Sequence, residues 1–225
     1  MILFQNVTVK YPYGNLALND ASFEIADNEF VYLVGPSGAG KTTILRLLLR
    51  EVMPASGSVI VDNEEISSNK YHTLSTLRQK IGIVFQDFRI LSDKNVYENV
   101  ALSMRIKGYP ASEIKNQVVE SLELTGISEK IFMFPAQLSA GELQRVAIAR
   151  AVVGDRSIIL ADEPTGNLDP KTTWDVMKIF RKLEKNKTII FATHNTDIVN
   201  SMKRRVIVVK NGAVVKDQRK GGYEL

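Results

Sequence analysis

The sequence predicts an α/β core interrupted by a helical segment. Three observations carry this. Short apolar runs at 30–34 (FVYLV), 81–85 (IGIVF), 157–161 (SIILA) and 188–192 (TIIFA) have the length and near-continuous apolar character of strands buried on both faces. Stretches with helical spacing lie between them, at 41–50, 74–80 and 170–184. From 88 to about 153 the strand signals fade, and three helical patterns follow one another at 96–106, 112–125 and 140–153.

The remaining elements follow in order. Residues 2–9 partly alternate and read as a strand, Tyr11-Pro12-Tyr13-Gly14 as a turn, and 18–25 as a second strand. Residues 54–57 read as a turn before a short strand at 58–61, and 62–70 as polar loop. These early strands are expected to form an antiparallel β subdomain. Ser112, with Glu113 beside it, is a candidate cap for the middle helix of the insertion, which Pro110 and Pro135 punctuate. A short helix is expected at 196–201. Two strands at 206–209 and 213–216, joined by Asn211-Gly212, read as a hairpin.

Composition bounds the function. A chain of 225 residues can bury a full core, and 44% apolar with 24% charged residues is ordinary for a soluble globular protein. The absence of cysteine excludes disulfides, thiolate metal sites and thiol catalysis. The net charge of +4, from 29 basic and 25 acidic residues, reads as solvated surface, and no nucleic-acid partner is expected. The N-terminus lacks the basic and apolar regions of a signal peptide. No apolar run approaches the roughly 20 residues a membrane span needs. Work at a membrane would therefore require another chain to hold this one there.

The chemistry starts at Gly35-Pro36-Ser37-Gly38-Ala39-Gly40-Lys41-Thr42, a G-x-x-x-x-G-K-[ST] pattern between an expected strand and an expected helix. Glycines let the backbone curl so that successive N–H groups face phosphate oxygens, and the helix N-terminus adds partial positive charge. Lys41 is placed to reach the β- and γ-phosphates, and the Thr42 hydroxyl to ligate Mg²⁺. Further on, 158–163 (IILADE) is an apolar strand ending in two carboxylates. Asp162 can hold Mg²⁺, and Glu163 can polarise a water for attack on a γ-phosphate. His194 follows the strand TIIFA, where it would face the γ-phosphate. Gln86 ends another apolar strand, where its amide could contact Mg²⁺ or the attacking water. His72 lies in a polar loop and is given no role. Leu138-Ser139-Ala140-Gly141-Glu142 opens a helix containing Gln144, Arg145 and Arg150. A second anion-binding helix terminus beside a complete phosphate loop points to service to a second nucleotide.

Taken together, these motifs resemble those of ABC-type ATPase subunits over nearly the whole chain. The resemblance implies a P-loop NTPase (RecA-like) core, ATP with Mg²⁺, and hydrolysis to ADP and phosphate. It adds Tyr11 as the adenine-stacking aromatic and Gln86 as the Q-loop residue. LSAGE (138–142) becomes the signature, ILADE (159–163) the Walker B strand, Gly166-Asn167-Leu168-Asp169 the D-loop and His194 the switch histidine. It implies a head-to-tail, ATP-dependent homodimer in which each phosphate loop, Gly35 to Thr42 with Thr43 behind it, faces the partner's Ser139, Gly141 and Glu142. Glu163, His194, Lys41 and Gln86 are then the catalytic set, and Thr42, Gln86 and Asp162 the metal set. One departure is Ala140, where the family usually carries glycine. The chain is read as a single ATPase domain over 1–225.

ADEPTGNLD (161–169) is similar to ATPases of the cell-division, lipoprotein-release and macrolide-export types, which partner permeases with large extracellular domains. QDFRIL (86–91) and NVYENV (95–100) are most similar to those of the cell-division type. So is the short C-terminus, which leaves no room for a regulatory domain. This similarity implies an FtsX-like integral membrane permease as partner, and a place on the cytoplasmic face of the membrane at the division septum. It also implies control of cell-wall hydrolysis. The alternative is the ATPase of a lipoprotein-releasing or macrolide-export system. A soluble ABC ATPase acting on DNA or ribosomes would need coiled coils or a second ATPase domain. A regulator without turnover is opposed by Glu163 and His194.

Overall fold

The computed structural model describes residues 1–222 and, within them, every side chain but that of Tyr13. The chain divides into two compact units, one formed by 1–78 with the residues from 187 onward, the other by 79–186.

The first unit contains an antiparallel sheet of β1 (Ile2–Lys10), β2 (Leu16–Ile25), β4 (Ser56–Val61) and β5 (Glu64–Glu65), in the order β2-β1-β4-β5. Alternation along β2 turns Leu18, Ala21, Phe23 and Ile25 inward, and Phe23 stacks on Phe4 at 4.4 Å. The β5 strand corrects the reading of 62–70 as loop throughout. Asp62 and Asn63 take φ 50° and 65°, the left-handed pair that closes a two-residue hairpin, so a short strand follows.

In the same unit, β3 (Phe30–Val34) is buried along its length between two parallel neighbours, β8 (Thr188–Thr193) and β9 (Arg205–Lys210). A continuous apolar strand fits that central position. The hairpin from β9 to β10 (Ala213–Gln218) turns at Asn211 and Gly212, with φ 51° and 79°. α1 (Lys41–Leu48) buries six of its eight residues, and past its C-cap Leu49 the chain turns left-handed at Arg50, whose φ is 51°. α7 (Thr196–Met202) is capped by Asn195, whose side chain accepts from the N–H groups of Asp197 and Ile198.

α2 (Leu74–Lys80) leads the chain into the second unit. There β6 (Ile81–Val84) and β7 (Ile158–Asp162) pair in parallel, with Val84 opposite Ala161. α5 (Ala140–Val152) passes close enough to β6 that a Cβ on Gly82 would lie 1.8 Å from the Ala151 carbonyl oxygen. α3 (Val96–Ile106), α4 (Ala111–Thr125) and α5 share an apolar core that includes Val100, Met104, Val118, Leu122 and Val146. Ser112 does not cap α4. The helix begins one residue earlier, after Pro110, and Ser112 lies inside its first turn. No helix among the described residues is long and apolar enough to cross a membrane.

One buried polar side chain organises the entry to α3. Asn99 is fully buried. Its Oδ1 accepts from the Leu91 N–H at 2.9 Å, and its amide donates to the carbonyls of Leu91, Lys94 and Asn95 at 2.9–3.0 Å. Removing it strands buried backbone groups, each costing about 1–3 kcal/mol. Asn99→Ala is therefore expected to lower stability by about 2–4 kcal/mol, read as a drop in the urea midpoint. A shift under about 0.5 kcal/mol would show that water replaces the side chain.

Candidate nucleotide site

The first unit presents one group of candidate residues at the carboxyl ends of β3 and β8. Val34 pairs with Thr193, so Gly35 and His194 leave the sheet side by side. The loop from Gly35 to Gly40 needs its glycines for space as well as for φ. A Cβ at Gly35 would sit 2.1 Å from the Val209 carbonyl oxygen, and one at Gly40 would sit 2.6 Å from that of Ala17. The loop is stitched to the β9–β10 turn by the Gly212 N–H, which donates to the Ala39 carbonyl at 3.0 Å. Pro36, Ser37 and Gly38 are exposed, whereas Ala39, Gly40 and Lys41 are buried. Lys41 turns back into its own loop, its Nζ donating to the carbonyls of Gly35 at 2.7 Å and Pro36 at 3.2 Å.

Gly40 is the N-cap of α1 and offers no side-chain acceptor, and Thr42 follows on the exposed side. The helix terminus thus keeps its anion-binding character, with an ammonium beside it. Tyr11 is half-buried, with its hydroxyl 3.4 Å from the Thr43 Oγ1 and 3.5 Å from a nitrogen of Arg46. The structure therefore groups Tyr11, Thr43 and the loop. Arg46 is a neighbour that the sequence reading did not single out. His194 is exposed.

The second unit holds the other group. The β6–β7 register brings Gln86 and the Asp162-Glu163 pair to the same end of two parallel strands. Asp162 closes β7. Glu163 takes φ 47°, a left-handed conformation that costs an L-residue roughly 1–2 kcal/mol. It is fixed by a tight turn in which the Gly166 N–H donates to the Glu163 carbonyl at 3.0 Å. Such strain is found at functional positions. Asn167 donates to the Gln86 carbonyl at 3.1 Å, and the Gln86 amide lies 3.5 Å from the Asn167 Oδ1. A Cβ on Gly166 would come within 2.9 Å of the Gln86 Nε2. The Gln86–Asn167 contact was not read from the sequence. The Gly-Asn pair in a turn was its only trace.

Ser139 caps α5, and Ala140 occupies the first helical position, which alanine suits better than glycine. The Glu142 carboxylate reaches back to accept from the Ser139 N–H at 2.9 Å and from its hydroxyl at 3.0 Å. Lys130 pairs with the other oxygen at 2.5 Å, another partner the sequence reading missed, since a lone lysine before a loop carries no signal. Lys130 first, then the Ser139 N–H, pull the Glu142 carboxyl down to about 2. A Cβ on Gly141 would meet the Thr172 methyl at 2.5 Å, so glycine there allows close approach to α6 (Pro170–Leu183).

Among the described residues no cluster of three or more histidine or acidic side chains could hold a metal by itself. Mg²⁺ binds through one or two carboxylates together with substrate phosphates. The hydroxyl of Thr42, the carboxylate of Asp162 and the amide of Gln86 are donors of the oxygen type it takes. The buried ammonium inside a glycine cradle suits the triphosphate of ATP.

Residues 18–166 match the ABC transporter family. The chain belongs to the ABC transporter family. It is 45% identical over 224 residues to the cell division ATP-binding protein FtsE of Bacillus subtilis, covering 99% of this chain and 98% of that one. It is 44% identical to the FtsE of Mycobacterium tuberculosis over 225 residues, again covering 99% and 98%. Its fold matches the ATP-binding cassette MJ0796, a dimer in a post-hydrolysis state bound to ADP and Pi, with TM-score 0.88 and 34% identity over 99% of this chain and all of that one. The protein is thus an ABC ATPase with a P-loop NTPase fold, resembling FtsE, and it uses ATP with Mg²⁺.

Because the Glu142 carboxyl is depressed in the folded protein, its contribution to stability is present above the ordinary value of about 4.3. That contribution is lost as pH falls toward about 2. An NMR titration of the Glu142 side chain should find it ionised throughout pH 3–7, and Lys130→Met should move its midpoint upward. An unshifted midpoint in the variant would show that Lys130 does not set it.

Proposed function

We propose that this ABC ATPase works as an ATP-dependent, head-to-tail homodimer that drives an FtsX-like integral membrane permease, resembling FtsE of the cell-division system. The geometry that supports the catalytic part is the Lys41 ammonium, buried inside the glycine loop at the open N-terminus of α1. Similarity to cell-division relatives over 99% of the chain supports the cellular part.

In this reading the Tyr11 ring stacks on the adenine. The backbone N–H groups of Gly35 to Thr42, with the Thr43 hydroxyl behind them, and the Lys41 ammonium bind the phosphates. Glu163 accepts a proton from the water that attacks the γ-phosphorus, while His194 and Gln86 orient the water and the γ-phosphate. Thr42, Gln86 and Asp162 would hold Mg²⁺, which would supply neutralising charge to the phosphate oxygens. Ser139 and Gly141, positioned by Glu142, reach the γ-phosphate of the nucleotide held by the second copy. Closure on ATP and reopening after hydrolysis pass to the permease through the helical segment at about 88–153. The protein sits on the cytoplasmic face of the membrane at the septum, where its output is control of cell-wall hydrolysis.

Glu163→Gln keeps the shape of the base and removes its basicity. Hydrolysis should fall by about 10²-fold or more, while ATP binding persists and light scattering shows a dimer with ATP–Mg²⁺ but not with ADP. Wild-type turnover in this variant would remove Glu163 from the mechanism. Mixing Lys41→Ala chains with Ser139→Arg chains should restore one working site per heterodimer. Heterodimers without activity would refute the shared site. Co-purification from native membranes should recover a permease with an extracellular domain. Recovery of a lipoprotein-release or export permease instead would reassign the system.

A further inference from the structure

The turn after Gln86 is held in a conformation that its own residues disfavour. Phe88 and Arg89 are consecutive, neither is glycine, and their φ angles are 59° and 48°. Left-handed backbone crowds the Cβ of an L-residue, and Phe and Arg lack the local side-chain hydrogen bonds that let Asn and Asp adopt it, so two of them in a row call for outside support. Within the turn there is a 3.3 Å bond from the Phe88 N–H to the Phe85 carbonyl, and a 2.6 Å contact from the Arg89 N–H to the Asp87 carbonyl. The Arg89 guanidinium lies 3.8 Å over the Phe85 ring and 3.3 Å from Asp87. These contacts fold the turn on itself but leave the two outward carbonyls to be satisfied.

One side chain satisfies both. Arg150, in the last turn of α5, donates from one terminal nitrogen to the Arg89 carbonyl at 2.6 Å and from the other to the Phe88 carbonyl at 2.8 Å. The planar fork of a guanidinium can span two adjacent carbonyls, whereas a lysine ammonium is a point donor. We propose that Arg150 is a positioning residue for Gln86, clamping the left-handed Phe88-Arg89 turn so that the amide before it is held in place. Burial pushes the pKa of Arg150 down, as expected of a cation withdrawn from water onto carbonyl dipoles. Gln86 is tied from its other side by Asn167, which donates to its carbonyl. The residue is therefore fixed between α5 and the turn after Asp162-Glu163. The helix that holds it is the one that begins at Ser139.

This inference rests on the role proposed above for Gln86 in ATP hydrolysis, and the experiment separates the two. Steady-state hydrolysis is measured for the full chain carrying Arg150→Met, Gln86→Ala, both together, or Arg150→Met with Phe88→Gly and Arg89→Gly. Amide hydrogen exchange at 86–91 and thermal melting are followed in each. Arg150→Met should lower kcat by about 10- to 100-fold, the scale of an approximately 1 Å misplacement of a catalytic group, with little change in KM and faster exchange at 86–91. Gln86→Ala should lower kcat similarly, and adding Arg150→Met to it should cost nothing more, since both act through one group. The glycine substitutions should restore part of the lost kcat by removing the strain. Arg150→Lys, which keeps the charge and bulk, should fold yet behave like Arg150→Met; wild-type turnover in it would overturn the clamp. An equal further loss in the Gln86→Ala background would also overturn the proposal, making Arg150 merely structural. A folded Arg150→Met protein with wild-type kcat and exchange would do the same. Wild-type kcat in Gln86→Ala, with faster exchange in Arg150→Met, would overturn instead the catalytic role of Gln86, and with it the catalytic consequence of the clamp.

Discussion

The structure depends on an ammonium enclosed by its own loop. Lys41 lies at the start of α1 with its Nζ against the carbonyls of Gly35 and Pro36. Only a backbone free to take positive φ and to touch its neighbours can curl this tightly. Val209 and Ala17 crowd the loop from outside, so Gly35 and Gly40 admit no side chain. The flanking architecture serves this arrangement. A central buried strand delivers the loop, a short and largely buried helix receives it, and the β9–β10 turn bonds to it through Gly212. A triphosphate entering the cradle would compete with carbonyl oxygens for the same ammonium, and phosphate oxygens form the stronger, charge-assisted bonds.

Most of this was legible in the sequence. The continuous apolar strands, the helical spacings and the Asn-Gly hairpin were read correctly because each rests on a local rule. The phosphate-loop motif and the acidic pair at the end of β7 announced themselves by residue type and spacing. The losses were also local. Ser112 looked like a cap, but the proline before Ala111 already fixed an extended entry, and the helix began one residue early. The 62–70 stretch looked like loop because its two strand residues, Glu64 and Glu65, have little strand character. The Asp62-Asn63 turn places them there.

What the sequence could not carry is pairing between distant residues. Lys130 with Glu142, Asn167 with Gln86, and Arg150 with the carbonyls of Phe88 and Arg89 join positions that no periodicity connects. The left-handed backbone of Glu163, Phe88 and Arg89 is equally silent in the sequence, because none of the three is a residue that favours it. These strained positions all lie just beyond the ends of β6 and β7, next to candidate chemistry. Local preference was overruled there by the requirements of a site.

The bond between Gly212 and Ala39 bears on how the protein is made. The hairpin that braces the phosphate loop is translated only after the loop and every element between them. A nascent chain still lacking β9 and β10 has neither the Gly212 donor nor the Val209 wall against Gly35. Its loop therefore lacks the brace that sets its curvature. The cradle is completed only when β9 and β10 join the sheet, so its curvature is set by tertiary contact and not by the loop's own residues alone.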